Sequence, residues 1–283
     1  MVGAYGFGVE PFWLRPVEYR VWHPSWPPDV GGFSIVQLSD LHGRTRAFSH
    51  PVARRWLQAA DLIAVTGDLY SPTLPRERVA TRLAALPPER TRYVSGNHDY
   101  RRRQLVIHPW QPAPEEVLDN RVERFGPEGL VLLGGVPDLV CGRVRWAEVR
   151  PPSGKCAAIL LSHRPDAILA PGAAGYQLVL SGHTHGGQVA LPGFGPILLH
   201  SRVGRGRTAG CVAWPDGRTL VVSRGLGTSE LPVRFLARPE VVRVILDPAA
   251  APEPRRGIPG AWGSRDTTRH DARHYPYVRK VRR

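Results

Sequence analysis

The feature that most limits the possible fold and function of this chain is a set of five short apolar runs. Each run ends in side chains of the types that bind metals. The runs span residues 35–42, 62–68, 93–99, 159–163 and 178–185. They carry two aspartates, one asparagine and four histidines: Asp40, His42, Asp68, Asn97, His163, His183 and His185. Since ligands bind at the carboxyl ends of strands in open α/β sheets, we expect these side chains to meet at one sheet edge. That is enough ligand for two ions, and a two-metal site favours phosphoryl chemistry.

The spacing within two of the runs allows pairs of side chains to bind the same metal ion. Asp40 and His42 are two residues apart, and His183 and His185 repeat that spacing. Extended side chains at i and i+2 lie on one face, so each pair can reach a single ion. Asp68 has two carboxylate oxygens and can bridge two metals. The ligand types suit two divalent metal ions, with Mn, Fe and Zn as the alternatives.

Apolar strands alternate along the chain with stretches of helical pattern, at residues 51–60 and 76–85, which predicts an α/β arrangement. Residues 212–222 predict a hairpin, because a Pro-Asp-Gly turn separates two apolar runs. Residues 144–149 predict a further strand. At 283 residues, one large domain and two small ones both remain open.

The two ends differ in composition from the middle. Residues 1–30, rich in proline and tryptophan, predict an extended segment that packs on the surface. Residues 31–250 form the predicted main domain, and residues 251–283 predict a basic, disordered tail. No apolar run reaches about 18 residues, and no signal peptide is visible, so the sequence predicts no membrane helix of its own.

The formal net charge of +14 comes almost entirely from arginine. A basic balance favours anionic partners, which include phosphorylated substrates, an acidic membrane surface and nucleic acid. Because no platform of interleaved aromatic residues is visible, nucleic acid is the least favoured of the three. The three cysteines, Cys141, Cys156 and Cys211, form no CxxC motif and are interpreted as small buried hydrophobes.

The ordered motifs resemble the calcineurin-like metallophosphoesterases over about residues 33–247. The motifs are Asp40-x-His42, Gly67-Asp68, Gly96-Asn97-His98-Asp99, His163 and Gly182-His183-x-His185. The resemblance implies a four-layer α/β/β/α sandwich, in which two mixed sheets flanked by helices hold a dinuclear metal centre at their edge. It also implies a metal-dependent phosphoric ester hydrolase of phosphodiesterase or pyrophosphatase type.

The resemblance also assigns roles to residues. The first metal would take Asp40, His42, Asp68 and His185, and the second would take Asp68, Asn97, His163 and His183. A hydroxide bridging the two ions would attack phosphorus, and Asn97 would also bind the substrate. His98 would act as general acid or stabilise the transition state, and Asp99 would orient its ring.

Four further segments, residues 182–189, 201–205, 223–229 and 231–240, resemble the bacterial YaeI/YkuE-type phosphodiesterases. That subgroup is linked to the cell membrane and to hydrolysis of UDP-2,3-diacylglucosamine, a step of lipid A biosynthesis. The resemblance implies a cytoplasmic protein, peripheral to or anchored at the membrane, that acts on a phosphorylated small molecule or a lipid-linked substrate. Two departures bear on substrate fit: Tyr70-Ser71-Pro72 follows Gly-Asp, and Arg164-Pro165 follows His163.

Several interpretations stay open. Arg44, Arg202 and Arg224 lie in or beside motif loops and either bind a second phosphate of the substrate or form structural ion pairs. Residues 226–235 form either a lipid-facing apolar wall or ordinary core. A nucleotide or nucleic-acid phosphodiesterase is the alternative enzyme. A metal-free scaffold would show broken ligand positions, and all seven are intact.

Overall fold

The computed structural model describes residues 2–71, 74, 76–101, 104–105, 112–113, 115–152, 154–247 and 278–281. The α-helices are α1 Val2–Gly8, α2 Arg46–Ser49, α3 Pro51–Ala59 and α4 Arg76–Ala84. The strands are β1 Arg15–Val21, β2 Ser34–Leu38, β3 Leu62–Thr66, β4 Thr91–Val94, β5 Tyr100–Arg101, β6 Gln104–Leu105, β7 Arg121–Phe125, β8 Val131–Val136, β9 Ala157–Ser162, β10 Leu178–Ser181, β11 Ala190–Leu191, β12 Gly195–Pro196, β13 Gly210–Ala213, β14 Thr219–Val222, β15 Glu240–Leu246 and β16 Val278–Val281.

The first large sheet has the order β16-β1-β15-β2-β3-β4. Strands β2, β3 and β4 are parallel, whereas β15 pairs with β2 in the antiparallel direction. Because parallel strands end at the same edge, the loops after β2, β3 and β4 lie side by side. These loops carry Asp40, Asp68 and Asn97.

The second large sheet has the order β13-β14-β10-β9-β8-β7. Its central strands β8, β9, β10 and β14 are parallel, and β7 and β13 close the sheet as antiparallel edges. The predicted hairpin at residues 212–222 is confirmed as β13 and β14. The loops after β9 and β10 carry His163, His183 and His185.

A hydrophobic core lies between the two sheets, and each sheet buries its outer face as well. In β9, Ile159 and Leu161 face the central core, whereas Leu160 packs on the outer side. In β2, Ile35 faces inward and Val36 packs outward. This period of two explains why the strands read as continuous apolar runs, since a strand that is buried on both faces needs apolar residues at every position.

The outer layers differ between the two sheets. The predicted helices are α3 and α4, which bury Trp56 and Leu83 against the first sheet. The second sheet is covered by 3-10 turns, Pro165–Leu169 and Pro171–Ala173, and by loops. Proline begins both turns and has no N–H for a helical bond, so the second turn interrupts any longer helix. The α/β/β/α layering is confirmed.

The amino-terminal segment is more regular than its sequence predicts. Residues 1–30 were expected to be extended, but α1 occupies Val2–Gly8 and β1 lies inside the first sheet beside β15. Val17, Tyr19 and Val21 alternate along β1 and pack into the central core. The alternation is a strand signal that the surrounding prolines and tryptophans obscured.

The carboxyl-terminal prediction is mostly outside the described part of the chain. Of the tail at residues 251–283, the structure describes β16, Val278–Val281, which pairs antiparallel with β1. No helix among the described residues is long and apolar enough to cross a bilayer.

The predicted strand at residues 144–149 is wrong, because this segment forms turns. The Glu148 amide donates to the Arg145 carbonyl, which closes one of these turns. Gly172 has no room for a side chain, since a Cβ there would lie 2.5 Å from the Trp146 ring. Packing of the Trp146 ring against the turn therefore outweighs the local alternation.

Candidate metal centre

All seven predicted ligands lie in one cluster where the carboxyl edges of the two sheets meet. Oδ2 of Asp68 is 3.6 Å from Nε2 of His42 and 3.3 Å from Nε2 of His163. Nε2 of His185 is 3.2 Å from Nε2 of His42 and 3.4 Å from Oδ1 of Asp40. One half of the cluster thus joins the first sheet to the second through Asp40, His42 and His185.

The other half is built around His163. Its Nε2 lies 3.1 Å from Oδ1 of Asn97 and 3.2 Å from Nδ1 of His183. Ligand atoms within 4.8 Å of one another form three groups among the described residues: Asp40, His42 and His185; His42, Asp68 and His98; Asp68, His163 and His183. Asp68 faces both halves, which is the position that a bridging carboxylate needs.

The donor set fits divalent metals. Nδ1 of His163 lies 2.8 Å from the Thr66 carbonyl, which can only accept, so Nδ1 carries a proton. In a neutral His163 ring, the lone pair of Nε2 would point at the Asp68 carboxylate, 3.3 Å away. Both side chains are buried, and such an approach requires a cation or a proton between them. Buried imidazoles, carboxylates and an amide oxygen are suitable ligands for Mn, Fe or Zn.

The backbone of the ligand loops is strained. Five candidate ligands have φ between 42° and 70°: Asp40, His42, Asp68, His183 and His185. The left-handed region is unfavourable for residues other than glycine, so the surrounding structure must hold them there. The Asp40 amide donates to the Gly67 carbonyl and the His42 amide to the Asp68 carbonyl. These bonds tie the loops after β2 and β3 together and turn their side chains towards a common centre.

Two glycines permit the close approach of the loops. A Cβ at Gly96 would collide with the Asp68 carboxylate and backbone. A Cβ at Gly182 would collide with the side chains of Ser39 and Asp40. The Gly-Asn and Gly-His pairs of the motifs therefore reflect space needed by neighbouring ligands.

The predicted role of Asp99 is corrected. Asp99 accepts hydrogen bonds from the backbone amides of Asp68, Leu69 and Gly96 at 2.8–2.9 Å, and from the Tyr93 hydroxyl at 2.6 Å. These donors occupy its carboxylate, so Asp99 joins the loop after β3 to the loop after β4. It positions Asp68 rather than the His98 ring.

His98 is exposed and stands beside the cluster. Its backbone amide donates to Oδ1 of Asp68 at 2.8 Å, and its ring lies edge-on to His42 with centroids 4.9 Å apart. Nε2 of His98 is 3.5 Å from Oγ of Ser229. The ring is thus held next to the candidate ligands while it faces the open side of the site.

Burial and mutual charge set the protonation of the cluster. Burial lowers the pKa of His163, but the negative charge of Asp68 and the hydrogen bond to it outweigh this and raise that pKa to about 10. Burial raises the pKa of Asp68, but His163 and His42 hold it well below its usual range. Burial raises the pKa of Asp40 to about 6. Without a metal, His163 is therefore protonated beside an ionised Asp68, and a divalent cation would displace that proton.

The other three histidines among the candidate ligands, His42, His183 and His185, are neutral at pH 7. Burial lowers the pKa of His42 to about 4, although the Asp68 charge opposes the change. Burial, His163 and Arg164 together lower the pKa of His183 to about 2. Burial and His42 hold the pKa of His185 well below its usual range. Neutral imidazoles are the form that binds metals.

Two cavities meet at the cluster. The larger, of about 720 Å³, has a wall of aliphatic side chains: Val189, Ile197, Leu198, Leu231 and Val233. The second, of about 630 Å³, is lined by Arg76, Arg101 and Arg164 among others. Asn97, His98 and Arg164 line both. Residues 226–235 divide between cavity and core, since Leu231 and Val233 line the larger cavity whereas Leu226 packs in the core.

The three predicted substrate-binding arginines have different surroundings. Arg44 lines a third cavity beside His42 and His98. Arg224 donates to the buried carboxylate of Glu240 at 2.9 Å and so forms a structural ion pair, the alternative to substrate binding. Arg202 is exposed and lines none of these three cavities.

Two arginines at the cluster were missed by the sequence reasoning. Nη1 of Arg164 lies 2.7 Å from Nε2 of His183. Arg234 is completely buried, donates to the carbonyls of Gly227 and Ala237, and lies 3.2 Å from Nδ1 of His185. A charged residue within an apolar run was the available signal for Arg234, and the unusual residue after His163 was the signal for Arg164.

The same region of the chain matches a known family. The family model described as calcineurin-like phosphoesterase matches residues 33–187, more than half of the chain. The match begins before β2 and ends at Gly187, so it includes all seven candidate ligands.

Several curated relatives span nearly the whole chain. The metallophosphoesterase YkuE of Bacillus subtilis is 32% identical over 260 residues, which cover 84% of this chain and 88% of that protein. A metallophosphoesterase of Aquifex aeolicus is 27% identical over 263 residues, or 87% and 96% of the two chains. The phosphodiesterase YaeI of Escherichia coli is 28% identical over 259 residues, or 85% and 93%.

Proposed function

Because this chain belongs to the calcineurin-like phosphoesterase family and is a metal-dependent phosphoester hydrolase, we propose that it cleaves a phosphodiester or diphosphate whose other portion is apolar. The name of the relative YaeI, a phosphodiesterase, supports diester cleavage. A lipid-linked diphosphate such as UDP-2,3-diacylglucosamine has the required chemistry.

The metal ligands we propose are the seven clustered side chains. Asp40, His42, Asp68 and His185 would hold one ion, and Asp68, Asn97, His163 and His183 the other. Divalent cations at such a site supply Lewis acidity towards the phosphoryl group and lower the pKa of water. The protein contributes neutral imidazoles, two buried carboxylates and the uncharged oxygen of Asn97, so the site keeps its electrophilic character.

His98 is the proposed proton donor to the leaving oxygen. Its ring is exposed to the cavity, and Ser229 lies 3.5 Å from Nε2. Proton transfer by a positioned side chain typically contributes roughly 10²–10⁴-fold to a rate. Asp99 supports this arrangement indirectly, because it holds the loop that presents His98.

The aliphatic wall of the larger cavity is the observation that carries the proposed substrate class. Five aliphatic side chains from two separate loops line the same cavity as Asp68, Asn97 and His98. Burial of apolar surface contributes about 25 cal/mol per Å². A small polar phosphomonoester would leave this wall in contact with water, whereas an acyl or alkyl chain would cover it.

The surface around the cavity supports contact with a membrane. Large apolar side chains are 51–62% exposed: Leu198 and Leu231 in the lining of the larger cavity, and Phe7, Trp13 and Phe194 elsewhere on the described surface. Their segments are connected, since the Arg234 amide donates to the Gly6 carbonyl and Tyr5 packs on Phe235. Arg205 and Arg238 lie over the rings of Phe194 and Trp13. Apolar side chains beside arginines are typical of proteins that bind an anionic lipid surface.

The substrate class is tested with the protein loaded with Mn²⁺. Phosphodiesters with one leaving group and alkyl chains of increasing length are compared at concentrations below micelle formation. We expect kcat/KM to rise with chain length, and the protein to sediment with anionic vesicles more than with neutral ones. Equal kcat/KM for short and long chains would contradict the proposal.

A nucleotide phosphodiesterase is the second candidate, favoured by the +14 net charge. It predicts faster cleavage of dinucleotides than of long-chain diesters, with binding that weakens steeply as salt is raised. The aliphatic rather than aromatic wall argues against it, because bases stack on aromatic side chains.

A further inference from the structure

The second cavity beside the metal cluster has the opposite chemistry to the first. Three arginines line it, Arg76, Arg101 and Arg164, together with Asn97, His98, Asp99, Tyr100 and Cys141. Asp99 is the carboxylate in this lining, and its oxygens already accept four hydrogen bonds from other groups. The cavity therefore carries excess positive charge directly beside His98.

Arg164 is held in place by a buried carboxylate. Its Nε donates to Oδ2 of Asp138 at 2.6 Å, and Asp138 is completely buried. The other oxygen of Asp138 accepts from the amides of Val140 and Cys141 at 3.0 and 2.8 Å. A guanidinium fixed in this way has already lost its side-chain entropy, which favours anion binding. Within the part of the chain that the structure describes, Nη2 of Arg164 has no acceptor.

Arg76 and Arg101 are the exposed arginines of this cavity. Both are exposed, and Arg76 lies over the ring of Tyr70 at 5.5 Å. Neither forms an ion pair with a carboxylate among the described residues. Both cations thus remain available to a ligand that enters from solvent.

The position of the cavity indicates which part of a substrate it takes. Asn97 and His98 line both cavities, so a phosphoryl group beside them lies at the junction. The geometry points to a second-anion subsite, formed by Arg164, Arg101 and Arg76, that binds a phosphate adjacent to the scissile one. An apolar chain then extends into the first cavity and the second phosphate into the basic one. The inference rests on the proposed function, because it assigns the polar half of the same substrate.

The subsite is tested by comparing two substrates that carry the same alkyl chain on the phosphorus that is attacked. In the first, a diphosphate, water cleaves the P–O–P bond and the second phosphate leaves. In the second, a phosphodiester, water cleaves the bond to p-nitrophenolate, which leaves. The measured quantity is the ratio of their kcat/KM values with the Mn²⁺-loaded protein. In Arg164→Met we expect this ratio to fall roughly tenfold or more, since a charge-assisted hydrogen bond is lost. Arg164→Lys restores part of the ratio, and Arg101→Met lowers it less. Arg55→Met, which removes an exposed arginine from α3, leaves it unchanged.

A binding measurement separates recognition from turnover. Calorimetry with methylenediphosphonate and methylphosphonate gives the preference of the loaded protein for two phosphonate groups over one. We expect Arg164→Met to lose most of this preference while elemental analysis shows wild-type metal content. If Arg164→Met loses metal or does not fold, Arg101→Met decides the question, because Arg101 touches no candidate ligand.

The outcomes distinguish this inference from the proposed function. An unchanged substrate ratio and an unchanged diphosphonate preference in Arg101→Met and in folded Arg164→Met overturn the subsite. A lowered ratio supports the subsite. This holds even if chain length has no effect on kcat/KM, a result that would exclude the lipid-like substrate but not the subsite.

Discussion

The metal cluster and the cavity walls around it are built in opposite ways. Most cluster side chains are buried, and each lies within hydrogen-bonding distance of another or of the backbone of a neighbouring loop. The walls consist of exposed and half-buried aliphatic residues in one cavity and of arginines in the other. The contrast indicates that the chemistry is fixed by a rigid centre, whereas substrate choice depends on surfaces that can change without disturbing that centre.

The largest expected effect comes from removing the shared carboxylate. Asp68→Ala should release metal from both halves of the cluster, because Oδ2 of Asp68 faces His42 and His163 alike. We expect hydrolysis of bis-p-nitrophenyl phosphate below detection and less than one metal ion per chain by elemental analysis. Asp216→Ala, in the hairpin turn, is the control for loss of an aspartate. If the Asp68→Ala protein retained two ions, the metal cluster would not depend on Asp68. The contrast between a fixed cluster and variable cavity walls would then be wrong.

Loss of His98 should separate chemistry from metal binding. His98→Ala should keep its metal content while kcat falls roughly 10²–10⁴-fold, the range for a positioned proton donor. His23→Ala, far from the motifs in sequence, serves as the control. Activity close to wild type would remove His98 from the mechanism.

Asp99→Asn tests the corrected role of Asp99. The amide cannot accept the same four hydrogen bonds, so the loops that present Asp68 and Asn97 should loosen and metal affinity should fall roughly 10–100-fold. The pH dependence of kcat at saturating metal should stay that of the wild type. A shifted pH limb with unchanged metal affinity would restore the predicted contact between Asp99 and His98.

Metal affinity should fall as the pH is lowered. His163, with its pKa raised to about 10, and Asp40, with its pKa raised to about 6, hold protons that a cation must displace. Affinity therefore rises with pH, by about tenfold per unit for each proton displaced. Calorimetric titration of Mn²⁺ near pH 7 in two buffers of different ionisation enthalpy measures the protons released. Release of no proton would contradict a protonated His163 beside Asp68 in the metal-free protein.

The smallest effect is expected at the apolar wall. Leu231→Ser should raise KM for a long-chain diester by roughly 3–10-fold, since Leu231 is partly exposed and contributes only part of its burial energy. KM for a short-chain diester should change less. Leu169→Ser, at an exposed leucine of a 3-10 turn that does not line the larger cavity, is the matched control. Equal changes for both substrates would show that the wall does not contact the chain.

The difference between the buried cluster and the cavity walls also explains which parts of the site could be predicted from the sequence. The seven candidate ligands could be identified because each follows a buried strand, and parallel strands bring their carboxyl ends together. The alternation of strands and helices predicted the α/β class, and the family resemblance implied the four layers. The unusual residue after His163 was a signal for Arg164, but its pairing with Asp138 could not be predicted, because no local pattern joins residues so far apart. The contacts of Asp99 were missed for a similar reason, since its donors come from the backbone of another loop.

The most direct test of the account is a crystal structure of the Mn²⁺-loaded protein with anomalous diffraction recorded at the manganese edge. The account predicts two peaks, one among Asp40, His42 and His185 and the other among Asn97, His163 and His183, with Asp68 between them. A single peak elsewhere, or two peaks that Asp68 does not join, would contradict it.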